Sequence, residues 1–441
     1  MEYPEQGNNE IFTKTVPSVP LWLSDHFSAL PLVGWGAIKR KFEDRGYTNQ
    51  STLSYIRESR RPNFNNSPFR SVFQQLLVRG VTVNESKTSR TAIAHEEQGR
   101  AMSQPPFFFK DDQGNIYASL VIKGGGLITS SQKVSSPRYV DRNDQNLSVY
   151  GGENLRNALL DAETQDSLIQ KIGLRTARSI GVFAINPADF NLEKQQAFIG
   201  KYKYGLDHDI HQDVGLLAID IRAFRNPIRA NVITSENKSE EVIREYVEMS
   251  MRLLKVTDNI EIGVANYLKF MRDILSLNLG KMANGGFLHA NLIPHNITLA
   301  FEFVDFDTMI DLNNEKLDIS LRVAHLTYEL MKVCEIYLTL DKIIRDAYGL
   351  EQSEDTLMLF IRQYIEQIEN SEIKKLINLQ LVDATSSEDA LIRFSSSLVK
   401  EVRIDRRSMF PRLLSKINTY KCMHVEEEEN YCSVCGTKLK N

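Results

Sequence analysis

The chain has 441 residues, of which 42% are hydrophobic and 25% charged, which is enough for a bilobal globular domain with appendages. Its formal net charge of −4 provides no basic field for a phosphate backbone, which argues against a nucleic-acid partner. No apolar run approaches the roughly 18 residues that span a bilayer, and the N-terminal segment lacks the order of a signal peptide. We therefore expect a cytoplasmic protein without a membrane partner.

Residues 1–104 carry no motif that indicates a function, and they are interpreted as an N-terminal extension. Strand patterns dominate residues 105–235. The segment FFFKDDQGNIYASLVIKGGG predicts a β-hairpin that ends in a glycine-rich loop. LRNALLDAETQDSLIQKIGL predicts a helix that is capped at Gly173, and SIGVFAI and VGLLAIDIR predict two further strands.

The hydrophobic period becomes helical over residues 236–410. Helices are predicted for EEVIREYVEMSMRLLKV, for NIEIGVANYLKFMRDILSLNLGKM, and for several amphipathic segments between about 317 and 402. Strands followed by helices predict an α+β fold, with a small mixed N-terminal lobe and a larger, mainly helical C-terminal lobe.

Lys123 ends the last strand of the predicted hairpin and is followed by Gly124, Gly125 and Gly126. Backbone without Cβ atoms can approach phosphate groups closely, and the lysine adds a positive charge. The pattern also describes a solvated turn, because no Walker lysine motif is present.

A second polar segment follows downstream. HANLIPHNITLAFEFVDFD predicts a loop with His289 and Asn296 that closes into an apolar strand, and this strand ends at Asp305. Amide and carboxylate oxygens are the ligands that Mg²⁺ prefers when it bridges nucleotide phosphates. The alternative is a turn asparagine and a surface acid after a buried strand.

The order and spacing of four motifs resemble those of the selenoprotein-O family. VIKGGGLITS resembles the lysine-glycine motif of that family, and LRNALLDAETQ resembles the helix whose acid, here Asp161, pairs with the lysine. RAFRNPIR repeats an arginine pair at Arg222 and Arg229. LHANLIPHN, followed nine residues later by Asp305, resembles the catalytic loop and the metal-binding strand. The resemblance covers residues 105–310.

This resemblance implies a bilobal protein-kinase-like fold that binds ATP in a flipped orientation and transfers AMP to hydroxyls of protein side chains. It implies that Lys123 holds phosphates and is oriented by Asp161, and that the two arginines bind the phosphates that the inverted nucleotide directs inward. Asn296 and Asp305 would ligate Mg²⁺ or Mn²⁺. ATP and a protein or peptide are thus the implied partners.

The sequence departs from the family at the acid–base positions. Asn291 stands where an ordinary kinase has its base, and His295 stands where the family has an acid. Imidazole is a poor magnesium ligand but can accept a proton from a hydroxyl. Three interpretations remain: an active nucleotidyltransferase in which His295 is catalytic, an inactive ATP-binding pseudokinase that acts as a scaffold or regulatory subunit, and a kinase-like enzyme that modifies a small molecule.

The last segment, residues 411–441, predicts a zinc knuckle. Cys422, His424, Cys432 and Cys435 form two short pairs of ligands that suit tetrahedral Zn²⁺. A closed set of four ligands leaves no position for water, which indicates a structural site. The remaining cysteine, Cys334, lies in an apolar stripe and is expected to be a buried thiol.

Overall fold

The computed structural model describes residues 8–28, 30, 35–50, 53–54, 78–84, 90–95, 101–103, 107–124, 153–185, 217–235, 238–313, 319–351, 356–374 and 377. The chain forms two compact units. The first unit contains the chain up to Gln170, Thr176–Val264 and Ile297–Asp307, and the second contains Lys171–Arg175, Ala265–Asn296 and the chain from Thr308 onward.

The first unit is built on an antiparallel sheet. The strands of this unit are β1 (Asn8–Leu23), β2 (Val78–Asn84), β3 (Arg90–His95), β4 (Ala101–Ser103), β5 (Phe109–Lys110), β6 (Ile116–Tyr117), β7 (Ser119–Lys123), β8 (Glu153–Asn154), β9 (Arg178–Ile185) and β10 (Leu217–Phe224). Within the described ranges the order is β2–β1–β3–β4–β7–β10–β8, and β9 pairs with both β1 and β10. Strands β5 and β6 pair separately, which confirms the predicted hairpin.

The sheet includes strands from the stretch that carries no sequence motif. Strands β1 to β4 fall within residues 1–104, and β1 pairs along its length with β2, β3 and β9. The register of β1 shifts at Pro17 and again after Pro20. Proline has no N–H to donate to a neighbouring strand, so the ladder is interrupted where it occurs.

The helices of the first unit are α1 (Trp35–Asp44), most of α2 (Leu155–Ile172), the short α3 (Asn231–Thr234) and α4 (Glu240–Thr257). The apolar residues Leu155, Ala158, Leu159 and Ala162 recur at helical spacing on α2 and pack against apolar residues of β1, β9 and β10. Helix α2 ends before Gly173, whose φ of 60° is the left-handed conformation that glycine adopts readily, as the sequence predicts.

The helix predicted from EEVIREYVEMSMRLLKV is also confirmed, as α4. The Ser239 side chain accepts a hydrogen bond from the backbone N–H of Val242, and Glu240 and Glu241 occupy the first turn, where the helix dipole favours acids. The next predicted helix, over residues 259–282, is wrong at its start. Helix α5 begins at Val264, because Asn259 has a φ of 55° and irregular backbone follows it.

The second unit contains α5 (Val264–Gly285), β11 (Phe287–Leu288), β12 (Ile310–Asp311), α6 (Ile319–Ala347) and α7 (Thr356–Gln367). The rings of Tyr337 and Phe360 stack 4.9 Å apart between α6 and α7. A Cβ atom on Gly280 would overlap Gln367, so α5 and α7 approach each other closely at this glycine. Cys334 is buried, as predicted, and burial raises the pKa of its thiol.

The predicted apolar strand that leads to Asp305 is wrong. Residues 299–304 form irregular backbone with isolated bridges, in which Ile297 pairs with Phe303. The Phe301 N–H donates to the carbonyl of Thr298, and Phe301 has a φ of 61°, so the chain turns back on itself here. The run is apolar because its backbone turn is buried on every side, not because it alternates across a sheet.

The described residues thus form a mixed α+β structure with an antiparallel sheet, as the sequence predicts at the level of fold class. In this part of the chain no helix has both the length and the apolar composition to cross a membrane.

Replacement of Phe27 by Ala tests the apolar core of the first unit. Phe27 is fully buried, and its ring lies 5.8 Å from that of Tyr117 and 6.2 Å from that of Phe109. We expect the free energy of unfolding to fall by about 3–5 kcal/mol because the substitution leaves a cavity. Both tryptophans of the chain, Trp22 and Trp35, lie in this unit, so their fluorescence during urea unfolding reports the loss.

Phe108→Ala is the matched control, since the Phe108 side chain is exposed. Its free energy of unfolding should change by no more than about 0.5 kcal/mol. Equal losses for the two variants would contradict the assigned core.

Candidate functional site

A buried charged surface lies on one face of the sheet. On β10, Asp220 and Arg222 alternate with Ile219 and Ala223, which pack into the apolar core on the other face. Lys123, at the end of β7, pairs in register with Asp220. All three charged side chains therefore share one face, where they are at most 8% exposed. Burial of charged groups is unfavourable unless they are paired, so these side chains must form ion pairs.

Helix α2 directs a carboxylate at this surface. Asp161 falls within the apolar stripe of the helix and is 1% exposed. Its Oδ2 accepts a hydrogen bond from Arg222 Nη2. Its Oδ1 accepts from Gln165 Nε2 at 3.1 Å and from the backbone N–H of Phe306 at 3.0 Å. Asp161 therefore connects the helix, β10 and the segment that carries Asp305.

Three cations converge on Asp305. The residue before it, Val304, packs against Val121 of β7 and Phe224 of β10, which brings the carboxylate to the charged face. Lys123 Nζ lies 2.7 Å and Arg222 Nη1 3.1 Å from Oδ1 of Asp305, and Arg229 Nη2 lies 3.7 Å from its Oδ2. Lys123 Nζ also lies 3.5 Å from the Glu153 carboxylate and 3.8 Å from that of Asp161.

The arrangement sets the charge states of the groups. Burial opposes ionisation of Asp305, but Lys123, Arg229 and Arg222 outweigh it and hold the pKa of that carboxyl well below its usual range. Burial likewise opposes the charge of Arg222, yet Asp161, Asp220 and Asp305 raise its pKa well above the usual value. Asp220 differs, because burial raises its pKa to about 6 despite Arg222.

Arg229 has donor capacity that no described residue uses. It follows the turn after β10, and its guanidinium lies 5.5 Å from the centre of the Phe224 ring. Burial lowers its pKa, and Asp305 opposes that effect. Its Nη1 is buried and makes no hydrogen bond to any residue that the structure describes. A buried donor of this kind suits an anionic ligand.

A second buried ion pair braces the two segments that carry these groups. The Glu302 carboxylate accepts hydrogen bonds from the backbone N–H of Arg225 at 3.2 and 3.3 Å and from Arg225 Nη1 at 3.2 Å. The Arg225 guanidinium also stacks over the Tyr117 ring at 5.2 Å. Glu302 is fully buried, so this pair fixes the turn after β10 against the residues that precede Asp305.

The residues of the predicted catalytic loop lie in the second unit. Pro294–Asn296 form a 3-10 turn, in which Asn296 is buried and His295 is exposed. Asn296 Nδ2 donates to the carbonyl of Asn291 at 2.8 Å. At the start of the same loop, Ala290 has a φ of 64°, and its N–H donates to Glu329 Oε1 at 2.9 Å. Burial raises the pKa of Glu329 to about 7.

Several predicted site residues lie outside the described residues. They are Gly125 and Gly126 of the glycine-rich loop and the four zinc ligands, Cys422, His424, Cys432 and Cys435. Within the described ranges, no three His, Cys, Asp or Glu side chains are arranged to hold a metal. This finding is compatible with Mg²⁺, which takes one or two protein carboxylates and completes its octahedron with phosphate oxygens and water. Asp305, with a quarter of its side chain exposed, fits such a role.

Sequence reasoning missed two acids of the cluster. Glu153 immediately precedes α2, and Asp220 lies within a strand. The sequence LAIDIR did contain a signal for Asp220. Its charged residues alternate with apolar ones in a strand pattern, and charged residues of a buried strand have to be paired. No comparable local signal marks Glu153.

Comparison with known proteins leaves the family open. No protein-family model matches the sequence, and no curated protein matches it significantly. The proposed function therefore depends on the geometry described above and on the motifs in the sequence.

Gly124 is a test of close packing at the site. Gly124 and Gly114 share a φ of 86°, which L-residues rarely adopt. A Cβ on Gly124 would overlap the Ala218 carbonyl and the Glu153 side chain, whereas a Cβ on Gly114 would meet no atom within 4 Å. Gly114→Ala should reduce the free energy of unfolding by about 1–2 kcal/mol through backbone strain alone.

We expect Gly124→Ala to reduce it by a further ~1–3 kcal/mol, because the new methyl group displaces neighbouring backbone. Urea unfolding of both variants measures the difference. Equal losses would mean that the surroundings of Gly124 relax freely.

Asp220 makes stability depend on pH. Its pKa of about 6 in the folded protein lies above the ordinary value of 3.8, so the unfolded chain ionises first as the pH rises. The free energy of unfolding should therefore fall between about pH 4 and pH 7, by up to ~3 kcal/mol. Asp220→Asn removes this titration.

The measurement is urea unfolding of the wild type and Asp220→Asn at several pH values. The stability of the wild type relative to the variant should decrease as the pH rises through this window. Contributions of acids that lie outside this cluster are common to both proteins and cancel in the difference. A difference that does not vary with pH would contradict the assignment.

Proposed function

We propose that this protein is an ATP-dependent nucleotidyltransferase that transfers AMP to a hydroxyl group of a protein or peptide, with Mg²⁺ or Mn²⁺ as cofactor. The observation that carries the proposal is the convergence of Lys123, Arg222 and Arg229 on Asp305 at a buried face of the first unit. The proposal includes a bilobal protein-kinase-like fold and a zinc knuckle over residues 411–441, both of which come from the sequence.

The three cationic side chains at this face are suited to binding a polyphosphate. The two guanidinium groups can bind phosphate oxygens with paired hydrogen bonds, and Lys123 adds a compact positive charge. Arg229 supports this role because its buried Nη1 has a hydrogen to donate. Cations in a site from which water is largely excluded stabilise negative charge more strongly than they would in water.

The reaction follows from this charge distribution. The oxygen of an acceptor hydroxyl attacks the α-phosphorus, the bond from that phosphorus to the bridging oxygen of the β-phosphate breaks, and pyrophosphate leaves. Lys123, Arg222 and Arg229 would stabilise the charge that accumulates on the leaving pyrophosphate. The metal would neutralise further phosphate charge, with Asp305 as its ligand in the first unit.

The sequence assigns the remaining roles to the loop in the second unit. Asn296 is the proposed second metal ligand, and His295 is the proposed acceptor of the proton from the attacking hydroxyl. The exposed position of His295 supports this assignment, because an acceptor hydroxyl can reach its imidazole from solvent.

The test is incubation of the purified protein with Mg²⁺ or Mn²⁺ and ATP labelled in parallel at the α- and γ-phosphates. We expect α label and a mass gain of one AMP on the protein itself. Asp305→Ala should lose this transfer because it removes a metal ligand, and circular dichroism checks that the variant is folded. Asp25→Ala, which changes an exposed carboxylate of the same unit, is the matched control.

Label from the γ-phosphate would show a kinase and contradict the proposal. ATP binding without transfer of either label would favour an inactive pseudokinase that uses the nucleotide to stabilise a complex. Transfer of label to a small molecule in place of protein would favour the third interpretation.

A further inference from the structure

We propose that the Asp305 carboxylate is an internal anion that competes with polyphosphate for Lys123, Arg222 and Arg229, so that a divalent cation must bind Asp305 before these residues can hold the phosphates. This inference rests on the proposed nucleotide site and adds a mechanism that couples metal to nucleotide. It concerns binding and can be tested without any turnover.

Asp305 holds a position that no other described carboxylate shares. It is the one acid within 4.0 Å of all three cations. Arg222 has two further acidic partners, Asp161 and Asp220, which approach its Nη2 and Nε. Arg229, in contrast, pairs with no other carboxylate among the described residues. A phosphate group that reaches Arg229 therefore meets the Asp305 carboxylate already beside it.

The charge of the cluster makes the competition unfavourable for a polyphosphate. Three cations face the four carboxylates Glu153, Asp161, Asp220 and Asp305, so the formal charge is −1 when all are ionised. Loss of the charge on Asp305 makes the cluster neutral, and a divalent cation bound to it makes the cluster positive. Electrostatic energies at these distances are large enough to control binding of a multiply charged anion.

Exposure and backbone geometry single out Asp305 as the acid that can change partner. Its side chain is 25% exposed, whereas those of Asp161 and Asp220 are 2% and 0% exposed. Its φ of 64° is in the left-handed region, which aspartate tolerates better than most residues. The hydrogen bond from the Phe306 N–H to Asp161 holds the adjacent backbone, so a rotation of the Asp305 side chain alone can move its carboxylate from the cations to a metal.

The experiment measures binding of inorganic tripolyphosphate and of ATP by calorimetry, first with EDTA and then with excess Mg²⁺. The wild type should bind metal-free tripolyphosphate weakly. Asp305→Asn should bind it roughly tenfold more tightly or better, because the competing charge is gone while the side-chain volume is kept. The affinity of this variant should also depend much less on Mg²⁺ than that of the wild type.

Two further variants identify the cause of a gain. Asp25→Asn removes one negative charge from an exposed position of the same unit, and we expect it to change the affinity less than about twofold because solvent ions screen it. Addition of Arg229→Gln to Asp305→Asn should abolish the gain, since the anion then loses a cation that it was free to bind. Asp305→Ala serves as a second charge-removing variant if Asp305→Asn does not fold.

The proposal is overturned if the folded Asp305 variants bind metal-free tripolyphosphate no more tightly than the wild type. It is also overturned if the gain survives Arg229→Gln, because the anion would then lie elsewhere. Failure of the proposed function gives a different result. A gain in tripolyphosphate affinity without transfer of α label would leave the competition intact and reject the transferase, whereas transfer without the gain would reject the competition alone.

Discussion

The ion pairs of the buried Arg222 guanidinium are the interactions on which the first unit depends. It projects from β10 and contacts Asp161 of α2, Asp220 of its own strand and Asp305 of the distant segment 297–307. An unpaired guanidinium at this depth would be strongly destabilising, so each acid is held in place by the need to balance it. The helix, the sheet and segment 297–307 are thus joined by one side chain, and the candidate site is formed at the same point.

Stability and the proposed function are therefore combined in the same residues. Asp161 and Asp220 are so deeply buried that their role is to keep Arg222 charged and oriented. Asp305 and Arg229 lie at the edge of the cluster, where exposure and an unused donor allow a ligand to take part. The Arg225–Glu302 pair then fixes the spacing between the two segments. A network of this kind pre-organises the two arginines for an anion, and Asp305 is the group that has to change partner in the proposed mechanism.

Local pattern was sufficient to predict the regular elements near the site. Helix α2 with its Gly173 cap, strands β9 and β10, and helix α4 with Ser239 at its start all follow from periodicity and capping. The segment 299–304 could not be predicted, because an apolar run that is buried as a turn has the same composition as a strand. The charged cluster could be predicted only in part, since the pairing of Glu153 with Lys123 arises from tertiary contact that no sequence period records.

The pairing of β1 with β9 has a consequence for how the chain acquires its structure during synthesis. Ser18 pairs with Ile185, so β1 leaves the ribosome well before its partner strand β9 is made. Pairings between residues far apart in sequence form slowly, and exposed strand edges invite aggregation in the meantime. The proline positions in β1, which interrupt its hydrogen-bonding edge, would reduce that hazard for the nascent chain.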